Sequence, residues 1–430
     1  MAVVAGKAAR VASRLRGGGS ALPGLVVERL DPRFLTHALA DLPCGVVVVT
    51  GTNGKTTTTK MLVAILREHG LTVFTNPTGS NFTRGVISAM LAEIPLSGRL
   101  KADIAVLELD EAHALKFAAE VKPAHSLLLN VARDQLDRFA EIDHTAKLLA
   151  ELAEQTTAGV VLNLNDSFVS RIAGRVPDGV KVTYFGVDPS IADRLPELQE
   201  ADVRFEDDFT PPEPTAADGL LKPHDERSFE VRFGSTGRVG PMVLKQRGLA
   251  AMINATAATS TAKVLLGNEF RDVVAVAALE RVEPPFGRGE IIDADGQPLE
   301  LVLVKNPAGF TVALSTYGNT PVTTMVAIND DYADGRDVSW LYDVSFESLR
   351  GKGVALTSGV RAYDMALRLQ YDDVTAARVE PDLDLALEHF LSAYKDEAKR
   401  IFCTYTTMMA LRRNLARRYG LANFGEEAQP

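Results

Sequence analysis

The sequence predicts an α/β protein in which a parallel-sheet domain is followed by a smaller α/β domain. Three observations predict this class. Apolar β-branched runs alternate with amphipathic stretches from residue 45 onward, a glycine-rich loop follows the first run, and the alternation resumes after a Pro- and Gly-rich break at residues 284–289. Strands alternating with helices form parallel sheets covered on both faces. A length of 430 residues fits two or three domains.

The first unit begins with the run at residues 45–50. Its further predicted strands are 71–74, 104–109, 126–131, 160–164 and 182–185. Its predicted helices are 57–70, 84–93, 112–121, 144–155, 248–266 and 270–279. Residues 189–241 break the alternation, and their prolines and acids predict an insertion with a strand at 228–233.

The second unit has fewer elements. Strands are predicted at 299–304, 324–328 and 354–357, and helices at 383–393 and 406–418. We expect the domain boundary near Ile292. The predicted division is therefore an N-terminal helical segment at 1–42, a central domain at 43–292 and a C-terminal domain at 293–430.

Composition excludes several classes of protein. The formal net charge of -10 gives no attraction to nucleic acid. Two cysteines, Cys44 and Cys403, cannot build a disulfide framework or a four-cysteine zinc site, and we expect both in the core. This sparse cysteine usage predicts a reducing, cytoplasmic setting. No apolar run reaches the length of a membrane span.

The N-terminal segment leaves two interpretations open. Its apolar positions at helical spacing are Val4, Ala8, Val11 and Leu15, and its basic positions are Lys7, Arg10 and Arg14. Such a helix packs its apolar stripe on the main body, or it makes weak contact with the inner face of the plasma membrane.

The glycine-rich loop predicts phosphate binding. The residues expected to bind nucleotide are Gly51, Thr52, Asn53, Gly54, Lys55, Thr56 and Thr57. A strand before the loop and a helix after it bring backbone N–H groups and a helix N-terminus to phosphate oxygens. Lys55 is expected to reach the β- and γ-phosphates of ATP, and Thr56 to bind Mg²⁺. Val49 stands where the usual motif begins with glycine.

Carboxylates near the loop predict further support for Mg²⁺. Glu108 ends a predicted strand, at the edge where an open α/β sheet binds ligands. The alternative is a surface acid. The polar residues expected after the next strand, facing the same crevice, are Asn130, Arg133, Asp134, Gln135 and Asp137.

These motifs together resemble the Mur ligase family, which joins an amine to a carboxylate with ATP. The loop at residues 50–56 matches, Asn254 resembles the adenine-contacting asparagine, Arg288 resembles the arginine near the hinge, and Asn306 with Pro307 resembles the motif that starts the C-terminal domain. The resemblance implies nucleotide contacts for Asn254, Arg288 and Asn306.

The departures from that family resemble its MurT branch. About forty residues precede the sheet, where Mur ligases carry a full domain. Gln135 replaces a metal-binding histidine, and Lys305 stands where a histidine flanks the Asn-Pro motif. Lys147 is the candidate for the lysine that many members carbamylate. The insertion has no cysteine, whereas several MurT proteins hold a zinc ribbon there, so no zinc is expected.

The resemblance implies ATP-dependent amidation of the α-carboxyl of D-glutamate in the lipid II stem peptide, through an acyl phosphate. Ammonia would come from a GatD-type glutaminase. An aspartate of the acidic motif at 330–343 would complete that partner's active site, and Asp343 is favoured over Asp337. The alternatives are an ordinary Mur or folylpolyglutamate-type ligase that adds an amino acid, and a regulatory P-loop module.

Overall fold

Two sheets organise the chain. The computed structural model describes residues 1–15, 21–76, 81–132, 142–189, 209–318 and 321–421. A nine-stranded sheet and a six-stranded sheet lie one after the other in sequence. The predicted α/β class, with a parallel first sheet, is confirmed.

The first sheet has the strand order β2-β3-β1-β4-β5-β6-β7-β8-β9. Its strands are β1 (Val46–Thr50), β2 (Val73–Thr75), β3 (Ile104–Glu108), β4 (His125–Leu128), β5 (Gly159–Asn163), β6 (Lys181–Val187), β7 (Gly219–Pro223), β8 (Ser228–Phe233) and β9 (Gly237–Val243). Strands β2 to β7 pair in parallel around β1, and β7, β8 and β9 pair antiparallel. The described part of the insertion therefore extends the sheet as an antiparallel edge.

Helices cover both faces of this sheet. They are α4 (Lys55–Glu68), α5 (Thr83–Glu93), α6 (Glu111–Glu120), α7 (Ile142–Gln155), α8 (Ser167–Arg171), α9 (Leu249–Leu266) and α10 (Asp272–Arg281). Successive valines of β1 point to opposite faces: Val47 and Val49 join the core under α4, α9 and α10, and Val46 and Val48 join the other core. A strand buried on both faces must be apolar throughout, which explains the unbroken valine run.

Helix α9 fills the core beneath the phosphate loop. Among the described residues, only the segment Leu249–Glu269 is long and apolar enough to cross a membrane, and 61% of its most apolar 18-residue window is buried inside the protein. It packs on α4 and on the sheet, so its apolar character is accounted for by this core.

The helices described before the first sheet are α1 (Ala2–Leu15), α2 (Ala21–Leu30) and α3 (Phe34–Leu39). Helix α1 packs on α2 and α5, but not through the predicted apolar stripe. Val4 and Val11 are exposed, as is Ala8, whereas Gly6 lies against Val27 and Leu91. The small Gly6 lets the opposite face approach α2 and α5 closely. The expectation that this helix packs on the main body is therefore confirmed, but the helix packs through a face other than its apolar stripe.

The second sheet has the order β10-β11-β15-β12-β13-β14. Its strands are β10 (Arg288–Ala294), β11 (Gln297–Leu303), β12 (Thr323–Ala327), β13 (Leu356–Ser358), β14 (Val379–Glu380) and β15 (Lys399–Cys403), and its helices are α11 (Pro307–Tyr317), α12 (Ala362–Tyr371), α13 (Leu383–Ala393) and α14 (Tyr405–Tyr419). Among the strands that the structure describes in this sheet, only β10 runs antiparallel to its neighbour. Ile292 lies inside β10, and we propose that the C-terminal domain begins at Arg288.

Candidate active site

The phosphate loop joins the end of β1 to the start of α4. Gly51 and Gly54 have φ angles of +129° and +87°, which residues with a Cβ rarely adopt. Gly54 is also the N-cap of α4, and no side chain of the described residues caps this helix. The first N–H groups of a helix have no intrahelical partners, so the start of α4 offers donors and a positive dipole end to an anion.

Thr56 and Glu108 meet at this helix start. The Thr56 hydroxyl donates to Glu108 Oε1 at 2.7 Å, and both side chains are buried. Asn76 fixes the end of β3, because its side chain bonds the backbone N–H and C=O of Glu108 at 2.9 and 2.8 Å. A hydroxyl and a carboxylate beside a phosphate loop form the donor set that Mg²⁺ prefers. These two predicted metal ligands are therefore brought together by the fold.

Lys55 lies along the loop rather than out in solvent. Its Nζ donates to the carbonyl of Gly51 at 2.5 Å and lies 3.5 Å from Glu111 Oε1. Glu111 is 4% exposed and stands in the first turn of α6. Sequence reasoning missed it, although its position three residues after Glu108 places it just past the same strand end.

Asn130 holds the loop in shape. Its side chain accepts from Asn53 N–H at 2.8 Å and donates to Asn53 C=O at 3.0 Å. Thr52 N–H donates to the Asn130 carbonyl at 3.0 Å. The predicted crevice residue Asn130 is thus a partner of the phosphate loop. The others named with it, Arg133, Asp134, Gln135 and Asp137, lie outside the described residues.

A cleft opens beside the loop. Asn254 of α9 lines it together with Asn53, Asn130 and Asp166. Burial raises the pKa of Asp166 to about 6, although the carboxylate accepts three backbone N–H groups, those of Val131, Phe168 and Val169. The cleft wall is therefore fixed by a satisfied carboxylate, and Asn254 presents an amide to any base in the cleft.

The C-terminal domain also reaches the loop. Asn306 caps α11 through Gly309 N–H at 2.7 Å and donates to Asn53 Oδ1 at 3.1 Å. Lys305 Nζ donates to the Thr52 carbonyl at 3.1 Å. Burial lowers the pKa of Arg288, and the nearby Glu108 carboxylate opposes that shift. Arg288 and Asn306 therefore lie at the phosphate side of the site, as Thr56 and Glu108 do.

The acidic motif lies on the C-terminal domain. Asp334 is buried and accepts from Thr406 N–H at 2.7 Å, and burial raises the pKa of Asp334. Asp337 is half-buried and accepts from Ser339 N–H at 2.8 Å. Asp343 is exposed at the end of the short 3₁₀ helix Ser339–Asp343. Of the two predicted catalytic aspartates, Asp343 has the more accessible carboxylate.

A buried arginine holds the backbone around Asp343. Arg368 of α12 donates to the carbonyls of Leu341 at 3.0 Å and of Val344 at 2.5 Å, and it pairs with Asp372 at 2.9 Å. These carbonyls flank Asp343 on both sides. The exposed carboxylate is therefore carried on a segment that is fixed to α12.

An exposed tyrosine stripe adjoins Asp343. Tyr363, Leu367 and Tyr371 recur every four residues along α12 and are 68%, 49% and 70% exposed. Tyr342, the residue before Asp343, contacts Tyr371 edge to face, with ring centroids 6.1 Å apart. Large exposed apolar patches mark interaction sites. We call Tyr342, Tyr363, Leu367 and Tyr371 the tyrosine stripe.

Two sequence expectations need correction. Cys44 is exposed, not in the core, because it lies in the turn that leads into β1. Lys147 is 67% exposed and pairs with Glu151 on the surface of α7, so it lacks the burial that a carbamylated ligand needs. Cys403 is buried as expected, and burial raises the pKa of its thiol.

Comparisons with known proteins agree with this geometry. A family model for the Mur ligase middle domain matches residues 49–213, and one described as MurT ligase C-terminal matches residues 303–408. The subunit MurT of the glutamine-hydrolyzing lipid II isoglutaminyl synthase of Streptococcus pneumoniae is 30% identical, over 97% of this chain and 97% of its own length.

Solved structures share the fold. MurF from Acinetobacter baumannii superposes with a TM-score of 0.67 at 18% identity, covering 92% of this chain and 81% of MurF. Folylpolyglutamate synthase from Mycobacterium tuberculosis, solved with ADP and AMPPCP, gives a TM-score of 0.61 at 15% identity, covering 93% and 98%. The phosphate loop, the two sheets and the near full-length similarity to the streptococcal subunit lead to one conclusion: the chain belongs to the MurT family.

Proposed function

We propose that this protein is an ATP-dependent ligase that amidates the α-carboxyl of D-glutamate in the stem peptide of lipid II, giving D-isoglutamine. The observation that carries the proposal is the phosphate loop with its Thr56–Glu108 pair, in a chain similar over nearly its whole length to a subunit of lipid II isoglutaminyl synthase. The presence of Lys55, Thr56 and Glu108 together favours an enzyme over a regulatory module, because these are the groups that neutralise a phosphoryl group during its transfer.

The chemistry requires activation of a carboxylate. A substrate carboxylate oxygen attacks the γ-phosphorus of ATP, the bond to the β-phosphate oxygen breaks, and an acyl phosphate and ADP form. Ammonia then attacks the acyl carbon, phosphate leaves, and a proton is lost from the nitrogen. The enzyme supplies positioning and charge neutralisation rather than a covalent group of its own.

Residues of both domains would perform this work. Gly51, Thr52, Asn53 and Gly54 would bind the phosphates with backbone groups, and Lys55 would neutralise them, as the geometry of the loop favours. Thr56 and Glu108 would hold Mg²⁺, which supplies charge neutralisation at the phosphates when bound. The remaining nucleotide contacts would come from Thr57, Asn254, Arg288 and Asn306.

Ammonia is proposed to come from a partner glutaminase of the GatD type. A glutaminase needs an activated thiol beside a histidine. Burial raises the pKa of the Cys403 thiol. Cys44 lies just before β1, at the opposite end of that strand from the phosphate loop. Neither cysteine fits the task.

Asp343 is proposed to reach the partner's active site. It is exposed, the segment that carries it is held by Arg368, and it adjoins the tyrosine stripe, which is an apolar surface suited to a protein partner. An aspartate in this position would orient a partner histidine. Asp337 is the second candidate for this role.

The inner face of the plasma membrane is the proposed place of action. Val4, Ala8 and Val11 face outward on α1, and Lys7 and Arg10 are only partly buried beside them. An exposed apolar stripe with basic neighbours favours weak contact with anionic lipid. Binding of the full chain to vesicles with and without anionic lipid tests this, and equal binding by a Val4→Asp/Val11→Asp variant would argue against it.

The experiment that tests the main proposal is a mass measurement on lipid II. The reaction contains ATP and Mg²⁺, with ammonium in one arm, and with glutamine and a GatD-type glutaminase in another. We expect a mass loss of about one dalton, because –OH becomes –NH₂, in both arms. A mass gain with a free amino acid instead would identify an ordinary ligase, and no ATP-dependent change in any arm would reject the proposal.

A further inference from the structure

Two lysines from different domains converge on one carbonyl oxygen of the phosphate loop. Lys305 Nζ donates to Thr52 O at 3.1 Å, and Lys55 Nζ lies 3.4 Å from the same oxygen. Lys55 begins α4 of the central domain, whereas Lys305 follows β11 of the C-terminal domain. The two ammonium groups are therefore close neighbours across the domain boundary.

The backbone that carries Lys305 is itself fixed to the loop. Asn306, the next residue, is fully buried, caps α11, and donates to Asn53. The Asn306 amide thus bonds Asn53, while the Lys305 ammonium group bonds the preceding loop residue, Thr52. This arrangement holds the lysine at the phosphate side of the site with little freedom of its main chain.

Like charges held this close repel each other, and the repulsion falls when an anion binds between or beside them. Lys55 has a carboxylate neighbour in Glu111. Lys305 adds a second positive charge at the loop, and Arg288 adds a third near Glu108. The two lysines and Arg288 therefore offer positive charge on the side of the loop where the phosphates of a nucleotide would lie.

We propose that Lys305 is a catalytic residue that binds the γ-phosphate of ATP from the C-terminal domain and stabilises its transfer to the substrate carboxylate. This inference rests on the proposed ligase function. It assigns a task to a residue that sequence analysis recorded only as a departure from the Mur ligase pattern.

The test compares nucleotides that differ at the γ-position. Affinities of the full chain for Mg²⁺ complexes of AMPPCP and ADP are measured by calorimetry for wild type, Lys305→Met and Lys305→Arg. We expect Lys305→Met to bind AMPPCP about tenfold or more weakly with ADP nearly unchanged, and to lose about 10²-fold in kcat of ammonia-dependent amidation. Lys305→Arg keeps the charge, so it should recover much of the AMPPCP affinity.

Lys352→Met is the matched control. Lys352 lies in the same domain, is partly exposed and pairs with Glu397, so its loss should change neither affinity. Equal losses for AMPPCP and ADP in Lys305→Met, without rescue by arginine, would mean a structural contact and overturn the inference. Unchanged binding would also overturn it. A wild-type protein that binds neither nucleotide would instead reject the ligase proposal itself.

Discussion

Thr56 and Glu108 share a hydrogen bond of 2.7 Å between a hydroxyl and a carboxylate, and it joins the first turn of α4 to the end of β3. The contact pairs the two side chains proposed to hold Mg²⁺. Their buried position means that neither is screened by bulk water.

Removing the charge of Glu108 should weaken the metal site. Glu108→Gln keeps an acceptor for the Thr56 hydroxyl but loses the negative charge that a hard cation requires. We expect the Mg²⁺ concentration for half-maximal amidation to rise about tenfold or more, and kcat to fall about 10²-fold. Glu120→Gln, at an exposed position on α6, is the control. An unchanged Mg²⁺ titration would show that Glu108 is no ligand.

Alanine substitutions at Gly54 and Gly70 separate the effect of backbone strain from an effect on the phosphate loop. Both have positive φ, +87° and +92°. A Cβ on Gly54 would lie 2.4 Å from Asn254 Oδ1, whereas one on Gly70 would meet nothing within 4 Å. Alanine at either position should cost about 1–3 kcal/mol of unfolding free energy through backbone strain.

Only Gly54→Ala should also abolish nucleotide binding, because its methyl group collides with the cleft wall and blocks the close approach of phosphate. Chemical denaturation measures the first effect and AMPPCP titration the second. If Gly70→Ala lost nucleotide affinity to the same degree, backbone strain rather than the site would explain the loss in both variants.

The phosphate loop could be predicted because its signal is local. Residues 45–57 contain the strand, the glycines and the helix start in one stretch, and Glu108 follows from the rule that ligands bind at strand ends. The contacts of Lys305 with Thr52 and of Asn306 with Asn53 join residues 253 positions apart. Hydrophobic periodicity does not reveal a contact between residues so far apart in sequence, so Lys305 stood out only as a departure from the Mur ligase pattern.

Other differences have equally physical causes. The break predicted at residues 284–289 is confirmed as far as Gly287, which lies in a turn, but β10 already begins at Arg288. Gly287 and Gly289 both have positive φ and make room for Met408 and Tyr317, respectively. In the sequence, glycines that form a turn look the same as glycines that begin a strand against a tightly packed neighbour. For α1, the helix could be predicted but its buried face could not, because helical spacing does not identify which face a helix buries.

Asp343 should be required for amidation with glutamine as the nitrogen source but not for amidation with ammonia. Asp343→Asn removes the charge that orients a partner histidine, so glutamine-dependent amidation should fall about 10³-fold or more, while ammonia-dependent amidation stays intact. Asp373→Asn, a nearby exposed carboxylate, is the control. Running Asp337→Asn in the same assay separates the two candidates, because only the residue that reaches the partner should show this selective loss.

An equal loss with both nitrogen sources would place Asp343 in the ligase reaction or in the folding of the C-terminal domain, and would reject the trans-acting role. Replacing Arg368 would be a poorer test, because its guanidinium is buried and its removal leaves the carbonyls of Leu341 and Val344 without their donor.

The tyrosine stripe should carry much of the partner's binding energy. Tyr371→Ser removes a ring that is 70% exposed, so the isolated chain should keep its stability. Burial of such a ring in an interface is commonly worth about 2 kcal/mol or more, so affinity for the glutaminase should fall at least about thirtyfold. Leu385→Ser on α13, with a comparably exposed apolar side chain, is the control and should bind normally. Calorimetry of the two purified subunits measures both. If Tyr371→Ser bound as tightly as Leu385→Ser, the partner would have to dock elsewhere, and Asp343, which adjoins this stripe, would lose its main structural support as the residue that enters the partner's site.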